Sequence, residues 1–154
     1  MPSLPNKPEA GSELVWFREG KAGTVTVHEY PAYVGKGKML SVNGTNVAGT
    51  QFMLRTTQKL QGHLPLLLQG HPRDVMQIGF GSGETSRAVL QHSSVERFDL
   101  VEVSPSVLQA ASLHFASINQ HVPNDPRLKI WIMDGRNYAR LTDRKYDVIL
   151  NDAT

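Results

Sequence analysis

The chain contains no cysteine in its 154 residues. Disulfides, a thiolate nucleophile and cysteine-ligated zinc are excluded, and a reducing, cytoplasmic setting is the expectation. Long apolar runs are also missing. Nothing approaches the roughly 20 residues of a membrane-spanning helix, so no membrane segment is expected. The opening MPSLPNKPEAGS lacks the apolar core of a signal peptide and reads as a mobile arm over residues 1–12. Charge of one sign is scarce as well: 16 Lys and Arg against 14 Asp and Glu give a net charge of +2. The pI is about 9.0, yet no basic cluster with interleaved aromatics marks a nucleic-acid surface. The six histidines have no metal-ligand spacing, so no metal is expected. His114 and His121 read as surface residues; His63 and His71 border the Leu64–Leu68 run as capping or cleft residues.

What is present is enough apolar content for a core, at 40%. Residues 13–50 read as short antiparallel strands over Leu14–Arg18, Thr24–Tyr30 and Lys38–Val42. Asn43-Gly44 is a hairpin signal, and Gly35-Lys36-Gly37 marks another turn. Residues 51–72 read as a connecting helix with Phe52, Leu60 and Leu64 in helical spacing, kinked or ended at Pro65. From Arg73 the pattern alternates. Strands Val75–Phe80, Phe98–Val103, Leu128–Met133 and Tyr146–Asn151 alternate with helices Glu84–Gln91, Pro105–Asn119 and Arg136–Leu141. Alternation of this kind predicts an α/β fold with a parallel sheet and right-handed crossovers over residues 73–154. An order 3-2-1-4 would leave the last strand as an apolar edge, which predicts one half of a larger sheet.

The informative stretch is VMQIGFGSGETSRAVL. A strand leads into Gly79-Phe80-Gly81-Ser82-Gly83, and a helix opens at Glu84. Glycines let the backbone approach a ligand and turn sharply, and the helix start beyond offers free N–H groups. Glu102 follows at about the 20-residue offset at which a carboxylate binds ribose hydroxyls. FDLVEVS, LKIWIMD and YDVILND each end a strand with an acid: Glu102, Asp134 and Asp152. In open parallel sheets ligands bind beyond those strand ends, so the set predicts a nucleoside-containing cofactor. Helix capping accounts singly for Asp134 before Gly135. Asp147 reads as a strand-start residue away from chemistry, and Trp16, Trp131, Met53, Met76 and Met133 read as packing.

At these residues the chain resembles the polyamine aminopropyltransferases, the spermidine and spermine synthases, from about Glu13 to Thr154. Val42-Asn43-Gly44 resembles the turn of their small β-domain, QKLQGHLPLLL their connecting helix, and IGFGSG their glycine loop. VEVSP, MDGRNY and YDVILNDAT resemble three further family segments. The resemblance implies a Rossmann-like, methyltransferase-type sheet, with decarboxylated S-adenosylmethionine as co-substrate and methylthioadenosine as product. It implies a donor site of Gly79, Gly81, Ser82, Gly83, Glu102, Asp134 and Gly135. Asp152 is implied as the group that receives or orients the attacking amine, and Gln58 as a substrate-side residue. A small amine acceptor and a homodimer are implied as partners. Ser82, Lys59 and Ser104 stand where the family carries acids, and Thr57 where it carries a Tyr, so the amine half has lost carboxylates. Two alternatives stay open: a methyltransferase using intact S-adenosylmethionine, and a non-catalytic nucleoside-binding module.

Overall fold

The computed structural model describes residues 11–31 and 36–152. The arm expected over residues 1–12 lies outside them except for Gly11 and Ser12, and so does Gly35 of the expected second turn. Four strands, β1 (Glu13–Gly20), β2 (Gly23–Tyr30), β3 (Gly37–Val42) and β4 (Thr45–Gly49), form an antiparallel meander in the order β1-β2-β3-β4. β4 follows from the Asn43-Gly44 turn although its own polar sequence announces no strand. Asn43 and Gly44 both take positive φ, 51° and 79°, as a tight two-residue hairpin requires. Asn43 also fixes the neighbouring hairpin, its side-chain oxygen accepting from the Thr24 amide at 2.9 Å.

Helix α1 (Phe52–Gln69) leads to the second sheet. β5 (Asp74–Ile78), β6 (Arg97–Glu102), β7 (Leu128–Ile132) and β8 (Val148–Asn151) are parallel and lie in the order β7-β6-β5-β8. Between them run α2 (Glu84–Leu90), α3 (Pro105–His114), α4 (Ala116–Asn119) and α5 (Gly135–Leu141). The long helix expected over Pro105–Asn119 is two helices. Phe115 leaves helical dihedrals (φ −121°, ψ 11°) and is fully buried in the core. The small sheet packs directly on this layer: Val25, Val27 and Leu40 share one apolar cluster with Phe80, Leu100, Ala110 and Phe115.

α1 departs from expectation twice. Pro65 neither ends nor divides the helix, which runs on to Gln69 and stops at Gly70 with φ 98°. The missing Pro65 N–H is offset by burial of the next residue, Leu66, against Val75, Val89 and Leu150. The face that packs is Gln58, Gly62 and Leu66, while Phe52, Leu60 and Leu64 are exposed. Gly62 decides this, because a Cβ there would stand 2.6 Å from Ala88 Cβ and 2.7 Å from the Thr85 carbonyl of α2. A second fastening is ionic. Arg55 donates through Nε and Nη2 to the buried carboxylate of Glu84, at 2.8 Å for Nη2, with Lys59 Nζ at 3.7 Å. Breaking a fully buried pair costs roughly 3–5 kcal/mol; Arg55 is one-third exposed and Lys59 remains, so Arg55→Ala is expected to cost about 2–3 kcal/mol in a urea unfolding curve.

Beneath the sheet's other face, Asp99 of β6 is buried. It accepts from Trp131 Nε1 at 2.9 Å, Arg144 Nη1 at 3.1 Å and the Tyr146 hydroxyl at 2.8 Å. Burial, before its hydrogen bonds to Tyr138 and Asp99, pushes the Tyr146 phenol far up, so it stays a donor. Asp147 Oδ2 accepts from the Arg73 and Asp74 amides at 2.7 and 3.0 Å, a strand-start role. No helix among the described residues is long and apolar enough to cross a membrane.

Candidate active site

The carboxyl ends of β5, β6, β7 and β8 open on one cavity of about 560 Å³, within the roughly 300–1,000 Å³ of small-molecule sites. It lies where the sheet switches direction, with β6 on one side of β5 and β8 on the other. Gly79, Gly81, Glu102, Asp134, Gly135 and Asp152, all predicted from sequence, line it together. The chain needs glycine at its bend: Gly79, Gly81 and Gly83 have φ of 88°, 55° and 84°. Gly81 also lies under the small sheet, where a Cβ would come 3.3 Å from Ala48 Cβ. Gly135 is glycine for packing, since a Cβ would stand 2.4 Å from Ile78 Cγ2.

Three predicted residues do not line the cavity. Ser82 is fully buried, and its hydroxyl donates to Gln58 Oε1 at 3.1 Å. The Ser82 carbonyl accepts from Asn119 Nδ2 at 2.9 Å. Gly83 is packed behind the loop, where a Cβ would meet Phe80 Cζ at 2.6 Å. Ser82, Gly83 and Gln58 therefore hold the loop from behind, because the bend at Gly81 turns the chain into α2 before Ser82 can face forward. Gln77 supports the same loop, its Nε2 donating to the Gly79 carbonyl at 2.7 Å and its Oε1 accepting from Ser86 at 3.0 Å.

Glu102 is buried and accepts from the Phe80 amide through Oε2 at 2.9 Å and from the Ser104 amide through Oε1 at 2.8 Å. The Val103 amide also bonds the carboxylate, so of its four acceptor positions one is left for a hydroxyl at the cavity wall. Burial pushes the Glu102 carboxyl up, and the backbone N–H groups pull against that. Asp134 caps α5, Oδ1 accepting from the Asn137 amide at 2.9 Å. The capping role weighed for it is real and leaves Oδ2 without a partner among the described residues. Asp152 continues β8, its amide bonded to the Ile78 carbonyl at 2.9 Å. Its Oδ2 accepts from Thr85 Oγ1 at 3.2 Å. Burial raises the Asp152 carboxyl above its ordinary value, while Thr85 and Gln61 lower it.

A family profile described as the spermine/spermidine synthase domain matches residues 55–154. The chain belongs to the spermine/spermidine synthase family. The matched stretch starts at Arg55 on α1 and carries every predicted site residue. Among its relatives, the polyamine aminopropyltransferase of Serratia proteamaculans is 33% identical over 118 residues, covering 77% of this chain and 41% of that protein. That of Methanocaldococcus jannaschii is 37% identical over 94 residues, covering 61% and 32%. A crystal structure of spermidine synthase in complex with the transition state analogue AdoDATO matches with a TM-score of 0.81 at 28% identity, over 92% of this chain and 46% of that one. Spermidine synthase from Thermotoga maritima matches with a TM-score of 0.81 over 91% and 47%. The chain thus spans less than half the length of these family members.

Two parts of this cavity lie outside the residues expected from sequence. Arg136, the residue after Gly135, lines the cavity; its place in the first turn beyond a strand-end acid was a usable signal. Ala22 and Val47 line it from the small sheet, and no local pattern connects those positions to strands so far away in sequence.

Proposed function

We propose that this chain carries the donor-binding and proton-accepting half of an aminopropyltransferase acting in polyamine biosynthesis. The observation that carries the reading is Asp152 at the switch point, in the same cavity as Glu102, Asp134 and the glycine loop. Decarboxylated S-adenosylmethionine fits this lining as donor. Glu102 has a free acceptor position for a ribose hydroxyl, and Asp134-Gly135 forms the wall for the base. The ionisable lining is three acids, Glu102, Asp134 and Asp152, against Arg136. That excess of negative charge favours a cationic sulfonium and an amine over a donor bearing a carboxylate.

The amine nitrogen attacks the methylene carbon beside sulfur. The C–N bond forms, the C–S bond breaks with its electron pair on sulfur, and methylthioadenosine leaves. An amine must be neutral to attack, and Asp152 takes its proton directly or through water. The cavity's further contribution is to hold the two reactants in line. The acceptor is a small amine, and the absence of acids at Lys59 and Ser104 points away from a diamine bound by charge at both ends.

Isothermal calorimetry tests the donor assignment. Methylthioadenosine is expected to bind at least about tenfold tighter than S-adenosylhomocysteine, a difference of 1.4 kcal/mol. Tighter binding of S-adenosylhomocysteine would transfer the site to methyl transfer.

A further inference from the structure

Asp152 differs from the other two site acids in what holds it. Glu102 and Asp134 are fixed by backbone amides. Asp152 is met by side chains from two helices, Thr85 of α2 and Gln61 of α1. We propose that Thr85, seconded by Gln61, is a positioning residue that holds the Asp152 carboxylate aimed into the cavity. The proposal rests on the reading of Asp152 as the proton acceptor.

Thr85 suits this task. It is 1% exposed and is the second residue of α2, so the glycine loop fixes its place. A β-branched side chain is stiff at χ1, and its hydroxyl has one proton to give. That proton goes to Oδ2 at 3.2 Å. The base is thereby keyed to the same loop that cradles the donor. On the opposite side, Gly62 brings α1 down on the Thr85 carbonyl and sets Gln61, one residue earlier, against the carboxylate.

The charges around Asp152 do not replace these donors. Glu102, Asp134 and Arg136 line the rest of the cavity. On α1 and α2, Arg55 and Lys59 are engaged with Glu84, and His63 Nδ1 meets His92 Nε2 at 2.9 Å. No ion pair to Asp152 forms among the described residues. Two hydroxyl and amide donors oppose the effect of burial on its carboxyl.

The test is a carbon-13 NMR titration of the side-chain carboxyls in the 154-residue chain. Asp152 is assigned by the signal that Asp152→Asn removes. Thr85→Val, isosteric but without the donor, is expected to raise the Asp152 midpoint by about 1–2 pH units, the worth of one hydrogen bond to a charged acceptor. Gln61→Leu moves it in the same direction, and Thr85→Ser restores it. An unmoved midpoint in Thr85→Val, with its melting temperature and methylthioadenosine affinity unchanged, overturns the proposal. Full turnover in Asp152→Asn would instead remove the proton-acceptor role and leave the hydrogen bond standing, so the two failures are distinct.

Discussion

Asp152→Asn is expected to lower kcat by at least about 100-fold, the lower bound of what a positioned base supplies, while the Kd for methylthioadenosine changes less than about twofold. The two readouts separate because Asp152 follows β8, whereas Glu102 and Asp134, the acids proposed for the nucleoside, stand at the ends of β6 and β7. Unfolding does not mimic this result. A buried carboxyl whose value is raised on folding contributes stability below its unfolded value, and that contribution is lost as pH rises through the folded value. At neutral pH the ionised Asp152 is therefore a cost, and an amide there is expected to leave the melting temperature equal or higher. Steady-state kinetics, calorimetry and a thermal melt on the same preparation check all three statements. The raised Asp152 value also places the acid limb of kcat/KM above the ordinary aspartate range, with activity falling as pH drops through it.

Glu102→Gln is expected to weaken methylthioadenosine by about 10–150-fold, the worth of roughly 1.5–3 kcal/mol for hydrogen bonds to a charged acceptor. The loss has two sources. A diol loses the anionic acceptor on the cavity wall. The glutamine amide also offers one oxygen where two backbone N–H groups, of Phe80 and Ser104, now each have their own. The Phe80 amide belongs to the glycine loop, so the loop loosens with the ribose contact. Calorimetry at fixed salt reads the effect. An affinity within threefold of the parent would place the ribose elsewhere.

These expectations trace back to features with very different visibility in the sequence. The parallel sheet was legible because βα alternation is a periodic signal, and each strand-end acid then fell where an open sheet binds ligands. Glu102, Asp134 and Asp152 reach one cavity for that reason. Side-chain direction was not legible. Ser82 belongs to the loop by sequence, yet it faces Gln58 behind it, because a bend at a positive-φ glycine reverses which residues look outward. The packing face of α1 is not legible either, for a related reason. Apolar spacing nominated Phe52, Leu60 and Leu64, but close approach is set by the absent side chain of Gly62. Contacts between distant segments, Arg55 with Glu84 and Thr85 with Asp152, have no local pattern at all.

Product analysis by mass spectrometry tests the central claim most directly. The chain is incubated with decarboxylated S-adenosylmethionine, or with S-adenosylmethionine, and a panel of mono- and diamines. The account predicts methylthioadenosine and an amine heavier by one aminopropyl group, formed from the decarboxylated donor and absent with Asp152→Asn. S-adenosylhomocysteine from the intact donor, or no product from either, would contradict it.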